Sequence, residues 1–197
     1  MDSDIFVIGA DTVPQHVSLG AGQTLRWTIV VPPGTDCDLE TVIDLDGPGA
    51  EADIAGVYLC KGSEHVRIAI RMAHNSGGCN SRQLFKGIVG GSAHASFEGL
   101  IYVAPDAQKT SAAQETHTLL LSSDAVAQAQ PQLEIYADDV ECSHGATTGF
   151  LDPSQLFYMR SRGIPEEEAR VLQMKAFIAP VVQRLPEEMQ EDLYGSL

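Results

Sequence analysis

The sequence predicts a mainly β body over residues 1–149, followed by a small helical segment over residues 150–197. Short stretches of strand-forming residues, separated by Gly, Pro, Asn and Asp, continue to about residue 142 without alternating helices. Helix-start signals appear only after Gly149. With 197 residues, 44% of them hydrophobic, the chain is long and apolar enough to bury a core.

The clearest strand is "HVRIAIRM", residues 65–72, because apolar and polar residues alternate in it. One face carries Val66, Ile68, Ile70 and Met72, and the other carries His65, Arg67 and Arg71. Six more stretches have the same character: residues 23–31, 40–47, 55–60, 97–105, 117–123 and 132–139. The Gly-rich stretch "GIVGGSAH", residues 87–94, lacks the Lys-Ser/Thr of a phosphate-binding loop and predicts a tight turn.

Two arrangements of these strands agree with the pattern, an antiparallel sandwich and a parallel β-helix. Hairpin signals are few, and the main one is "LDGPG" at residues 45–49. The strands recur at intervals of roughly 20 to 27 residues, which is typical of the coils of a β-helix. The spacing therefore favours the β-helix.

The segment after residue 149 predicts two helices and a short third one. "DPSQLFYMRSRG", residues 152–163, opens with an Asp-Pro pair suited to a helix start and closes on glycine. Residues 164–185 place three glutamates after a proline, at the positive end of a helix dipole. This second helix has an apolar stripe that includes Leu172, and Pro180 should kink or split it. The third is predicted over residues 186–197.

The net charge and the spacing of the cysteines indicate which functions and which cellular compartment to expect. A net charge of −15 supplies no surplus of Lys and Arg for nucleic acid or an anionic membrane. The start, "MDSDIFVIGADTV", lacks the basic and apolar regions of a signal peptide, so we expect a cytoplasmic protein. Cys37, Cys60, Cys79 and Cys142 form no CxxC motif. We expect reduced thiols, most of them buried as small hydrophobic residues.

The stretch "ECSHGATTG", residues 141–149, is the most suggestive chemically. On an extended chain Cys142 and His144 point the same way. A thiolate and an imidazole suit iron, copper or zinc, but two ligands need others from elsewhere in the fold or from a second chain. A nucleophilic Cys142 would need His144 as its base, but side chains two positions apart on a strand are poorly placed for a direct hydrogen bond. A buried cysteine beside a histidine bonded to the backbone is a third interpretation.

Two other patterns predict contacts. Four histidines recur at intervals of 20, 23 and 27 residues, which would allow stacking on neighbouring coils: His74, His94, His117 and His144. Four aromatic residues lie near the β-to-α junction and are expected to seal the end of the β body: Tyr136, Phe150, Phe157 and Tyr158.

Residues 131–164, "PQLEIYADDVECSHGATTGFLDPSQLFYMRSRGI", resemble the C-terminal signature of the SufB/SufD family, and are nearer to SufD. Residues 81–122, "SRQLFKGIVGGSAHASFEGLIYVAPDAQKTSAAQETHTLLLS", resemble the family's preceding coils. The resemblance implies a right-handed parallel β-helix followed by a small C-terminal helical domain. It also implies a non-enzymatic scaffold subunit of the SUF iron–sulfur cluster assembly system.

In that family SufB and SufD pair with each other, and their C-terminal helices dock a SufC-type ATPase of the ABC class. The resemblance therefore implies a SufB-type partner, or self-pairing, through the β-helix and an ATPase on residues 150–197. The "CSHG" cysteine and histidine of SufD-like proteins lie toward the pairing interface. We thus expect Cys142 and, above all, His144 to hold a transient iron–sulfur cluster or iron shared across a subunit interface.

Members of the family are longer than this sequence and carry an N-terminal helical domain. The resemblance therefore implies a short form or a fragment of such a protein. The alternative function is a β-helix interaction module that presents a docking surface and has no cluster chemistry.

Overall fold

The chain folds into a parallel β-helix followed by three helices. The computed structural model describes residues 3–197. The strands are β1 Asp4–Val7, β2 His16–Leu19, β3 Thr24–Val31, β4 Cys37–Leu45, β5 Glu51–Cys60, β6 His65–His74, β7 Asn80–Val89, β8 His94–Val103, β9 Ser111–Leu120, β10 Val126–Ile135 and β11 Glu141–Phe150. The helices are α1 Pro153–Ser161, α2 Glu166–Val182 and α3 Glu187–Gly195.

The strands form two parallel sheets, so the sandwich alternative is excluded. The odd sheet has the order β1-β3-β5-β7-β9-β11, and the even sheet has the order β10-β8-β6-β4-β2. Ile54 pairs with Gln83, Gln83 with Gln114, and Gln114 with His144, so one coil takes 29, 31 or 30 residues. The expected interval of 20 to 27 was too short because a full coil contains two ten-residue strands and their corners.

Inward-facing side chains of both sheets fill the β-helix. The apolar face of β6 is buried as expected, with Val66, Ile68, Ile70 and Met72 at most 3% exposed. Cys37, Cys60 and Cys79 are buried free thiols, which confirms their packing role. Burial raises the pKa of Cys37 to about 11 and that of Cys60 to about 12, so both thiols stay protonated at neutral pH.

The helical segment packs against the outer face of the odd sheet. Met174, Ile178 and Val181 of α2 are buried against a set of outward side chains that includes Val57, Leu59, Leu84 and Ile88. An Arg184 Nη1–Asp53 Oδ1 ion pair of 2.9 Å joins the segment to β5. No helix in residues 3–197 is long and apolar enough to cross a bilayer.

The helix predictions are confirmed except in α2. The Asp152 side chain accepts a hydrogen bond from the Ser154 backbone N–H at 2.8 Å and caps α1. Helix α2 continues through Pro180 to its end at Val182 without splitting, because the proline lies in its last turn. Ile178 and Val182 of the predicted stripe are buried, whereas Leu172 is 40% exposed, because Met174 and Val181 complete the buried face.

Several strands and one contact were not predicted. The missed strands are β1, β2 and β7, which are short or carry polar and glycine residues on their inward faces, whereas β11 was anticipated only as an extended stretch around Cys142 and His144. The expected stacking of the histidine series is wrong, because His74 and His144 occupy inward positions whereas His94 and His117 face outward. His94 instead stacks on His65, with ring centroids 5.3 Å apart.

Candidate functional site

The last coil leaves the β-helix with an open end. Within residues 3–197, β10 pairs only with β8 and β11 only with β9, so each strand has one free edge. The two free edges, together with the inward side chains of β10 and β11, form what we call the open end. Pro131 of β10 fits such a position, because proline is tolerated on an edge strand. The open end therefore presents unpaired backbone groups beside an incompletely covered interior.

Cys142 and His144 share the inward face of β11 at this open end. Their strand partners, Ala112 and Gln114, are buried inside the β-helix. Cys142 is half-buried and packs against the core, whereas His144 is exposed. Burial raises the pKa of the Cys142 thiol, opposed by a backbone hydrogen bond with Ala112 that lowers it. A thiol held in its protonated form is not poised as a nucleophile.

The donor set fits an iron–sulfur species only if other ligands come from outside the chain. Thiolate and imidazole are both ligands of iron–sulfur clusters. Residues 3–197 contain no group of three or more His, Cys, Asp or Glu side chains able to hold a metal ion. Cys142 and His144 thus supply at most part of a coordination shell.

Four aromatic side chains near the open end face solvent. Tyr136 is 61% exposed, Phe150 65%, Phe157 74% and Tyr158 59%. The expectation that they seal the β body is wrong, because each ring is more than half exposed to solvent. Helix α1, which carries two of them, buries none of its residues. Two of them, Phe157 and Tyr158, are neighbours on α1 and together expose an apolar surface.

An apolar groove lies between α1, α2 and the end of β11. Its volume is about 480 Å³. Its lining includes Leu119, Phe150, Met159, Leu172 and Phe177. The groove explains why Leu172 remains accessible despite its place in an apolar helix.

A row of polar residues inside the β-helix was missed by sequence reasoning. Gln83, Gln114 and His144 are each the fourth residue of their strand, and they lie in register across β7, β9 and β11. Gln114 Nε2 donates to Gln83 Oε1 at 3.2 Å, and both glutamines are fully buried. The segments "NSRQ", "SAAQ" and "ECSH" show the row only once the register of the successive coils is known.

A comparison with protein families identifies this architecture. The family model described as "SUF system FeS cluster assembly, SufBD core domain" matches residues 10–177, which run from before β2 into α2. The chain belongs to the SufBD family. The family match thus includes the open end, Cys142 and His144.

Curated relatives place the chain on the SufD side of the SufBD family. The iron–sulfur cluster assembly protein SufD of Escherichia coli is 49% identical over 117 residues, 59% of this chain and 28% of the relative. SufD of Bacillus subtilis is 34% identical over 169 residues, 86% of this chain and 39% of the relative. A SufBD family protein of Mycobacterium leprae is 31% identical over 178 residues, 86% of this chain and 45% of the relative. The chain spans less than half the length of these three relatives.

Proposed function

We propose that this chain is a non-catalytic scaffold subunit in SUF iron–sulfur cluster assembly. In this role it pairs through the open end of its β-helix and docks a SufC-type ATPase through its helical segment. The observation that carries the proposal is the position of Cys142 and His144 together on β11, a strand with a free edge. Membership of the SufBD family and the similarity to SufD support it.

The open end supports pairing with a SufB-type subunit or with a second copy. Free edges of β10 and β11 offer backbone donors and acceptors to strands of a partner. Ile135 and Phe150 add apolar contact area beside these edges, since they are 38% and 65% exposed. A partner that covers this end would bury Cys142 and His144 at the interface.

Iron and sulfide are the cargo of the proposed site. Cys142, once deprotonated, and His144 supply a soft and a borderline ligand, and the partner subunit supplies the remainder. Sharing ligands between two chains suits a transient cluster, because separation of the chains removes half of the coordination shell. Within this chain the two residues bind and orient cargo and perform no bond-breaking step.

The helical segment supports docking of the ATPase. Helix α1 fully buries no residue and keeps Phe157 and Tyr158 exposed, so these two rings are available to contact another protein. The groove of about 480 Å³ beside it accepts an apolar side chain of the ATPase. Helix α2, in contrast, already packs against the odd sheet through Ile178 and Val181.

The proposal is tested by anaerobic reconstitution with ferrous iron and sulfide. We expect the chain mixed with a SufB-type subunit to develop visible charge-transfer absorbance. His144→Ala should reduce that absorbance several-fold, and Cys142→Ala should reduce it to a smaller extent. Unfolding midpoints of both variants should stay close to wild type, since neither side chain is fully buried.

Thr24→Lys is the matched control, because Thr24 is exposed on β3, far along the odd sheet from β11. It should leave the absorbance unchanged. Wild-type absorbance in both His144→Ala and Cys142→Ala would reject the cluster role. The chain would then be a docking module without cluster chemistry.

A further inference from the structure

The interior row that ends at His144 changes from apolar to polar toward the open end. Its members, one per coil of the odd sheet, are Trp27, Ile54, Gln83, Gln114 and His144. Trp27 and Ile54 are ordinary core residues. The two glutamines are 0% exposed, which is unusual for this residue type. The burial of two adjacent amides directly beneath His144 therefore needs a physical explanation.

Two amide atoms of this pair, Gln83 Nε2 and Gln114 Oε1, have no hydrogen-bond partner in residues 3–197, and Gln114 is the glutamine next to His144 in the row. Gln114 Nε2 donates to Gln83 Oε1 at 3.2 Å, on the side away from the open end. Gln114 Oε1 is buried and has no hydrogen-bond partner in residues 3–197. The oxygen and nitrogen of an amide point in different directions, so Oε1 lies on a side of the amide group that does not face Gln83. A buried acceptor without a partner is costly, and the inward position next to it is His144.

The Gln114 amide is also held in place from the opposite sheet. Gly99 of β8 lies against it, and a Cβ atom at Gly99 would overlap the amide group. The glycine therefore makes room for Gln114 and limits where its side chain can lie. Adjacent parallel strands are about 4.8 Å apart, so side chains stacked in register are within hydrogen-bonding reach.

We propose that Gln114 is the positioning residue of His144. The exposed His144 ring reaches this arrangement by rotating about its side-chain bonds, so that one ring N–H donates to Gln114 Oε1 and the other ring nitrogen stays bare and directed to the open end. Histidines that bind metals usually donate their second ring N–H to such an acceptor, which selects one tautomer and orients the ring. The inference rests on the proposed function, because positioning matters only if His144 is a ligand.

The tautomer of His144 tests the proposal directly, without iron or a partner. Ring ¹⁵N signals of the whole 197-residue chain are recorded at about pH 8.5, where imidazoles are neutral. The chain has six histidines, and His144→Ala identifies the signals of His144. We expect one protonated and one bare nitrogen, with widely separated shifts. Averaged shifts like those of free imidazole in the wild-type chain would overturn the proposal.

Three variants separate positioning from general packing. Gln114→Met keeps the length and removes the amide acceptor, so the two ring shifts of His144 should move toward each other. Gln114→Glu keeps an acceptor oxygen at the same reach, although it cannot donate to Gln83 Oε1, so His144 should again show one protonated and one bare ring nitrogen. Thr116→Val removes a neighbouring buried hydroxyl that has no partner in residues 3–197, and it should leave His144 unchanged.

Unchanged ring shifts in Gln114→Met, or equal changes in Thr116→Val, would overturn the proposal. If the proposed function also holds, Gln114→Met should lower cluster formation with the SufB-type subunit by about twofold to tenfold, the effect of one hydrogen bond. The experiments can reject the cluster role without rejecting the positioning role of Gln114, and the reverse. Wild-type cluster formation in both His144→Ala and Cys142→Ala rejects the cluster role, whereas the ring shifts alone decide the role of Gln114.

Discussion

At the scale of single residues, the interior of the β-helix contains polar groups with incomplete partners. His74 is fully buried, its Nε2 lies 2.9 Å from Ser81 Oγ, and its Nδ1 has no hydrogen-bond partner in residues 3–197. Burial lowers its pKa from 6.5 to about 4. The folded chain therefore keeps this imidazole neutral under conditions in which the unfolded chain protonates it.

We predict that His74 makes the fold sensitive to mild acid. The unfolded state binds a proton near pH 6.5 and the folded state only near pH 4, so the free energy of unfolding falls as pH decreases through this window. The expected loss is about 2 kcal/mol between pH 7.5 and pH 5. Urea unfolding at the two pH values measures it.

His74→Met removes the titrating group and should abolish most of that difference, although it lowers stability at both pH values. His65→Gln changes an exposed histidine and should keep the wild-type difference. An undiminished pH dependence in His74→Met would show that other groups cause it.

At the scale of elements, α1 and α2 belong to the same segment but face different surroundings. Ile178 of α2 is 0% exposed and packs on the odd sheet, whereas Phe157 of α1 is 74% exposed. Burial against β5 and β7 makes α2 part of the folded body. Exposure leaves α1 available for a partner.

We therefore predict opposite effects of two alanine substitutions. Ile178→Ala should lower the free energy of unfolding by about 2–5 kcal/mol, because it leaves a cavity between α2 and the sheet. Phe157→Ala should change it by less than about 0.5 kcal/mol, yet weaken capture of a SufC-type ATPase. Urea unfolding and a pull-down assay measure the two effects. Normal ATPase capture by Phe157→Ala combined with Tyr158→Ala would count against docking through α1.

At the scale of the whole molecule, the two ends of the β-helix differ. Short strands, β1 and β2 of four residues each, lie at one end, and the ten-residue strands β10 and β11 lie at the other. Long free edges next to a half-covered interior are a hazard for a protein that acts alone. A partner on the open end removes that hazard, which links the architecture to assembly.

We predict that Ala146→Lys blocks pairing. Ala146 occupies an inward position of β11 but is exposed at the open end, so a lysine is accommodated in the separate chain. In the assembled pair that charge would be buried without a partner, and affinity should fall at least about tenfold. Analytical ultracentrifugation of the chain, alone and with a SufB-type subunit, measures pairing. Equal assembly of Ala146→Lys and the control Thr24→Lys would place the interface elsewhere.

Several structural features were predictable from local patterns. Alternation of apolar and polar residues in β6 and the Asp-Pro start of α1 depend on neighbours a few positions apart, which a sequence displays directly. The parallel arrangement was favoured by spacing and implied by the family resemblance. Strand β7 was missed and β11 was anticipated only around Cys142 and His144, because glutamine, histidine and glycine on their inward faces hide the alternation.

The sequence by itself determined the fold class, the helical segment and the pair of residues, Cys142 and His144, that define the candidate site. Only the tertiary structure decided that these two residues lie on a free edge strand and that Gln114 lies beneath His144. It also decided that the junction aromatics face solvent. These relations join residues about 30 positions apart, and the lengths of the intervening corners set their register. No local pattern encodes that register, because it emerges only when successive coils stack and bury their common core.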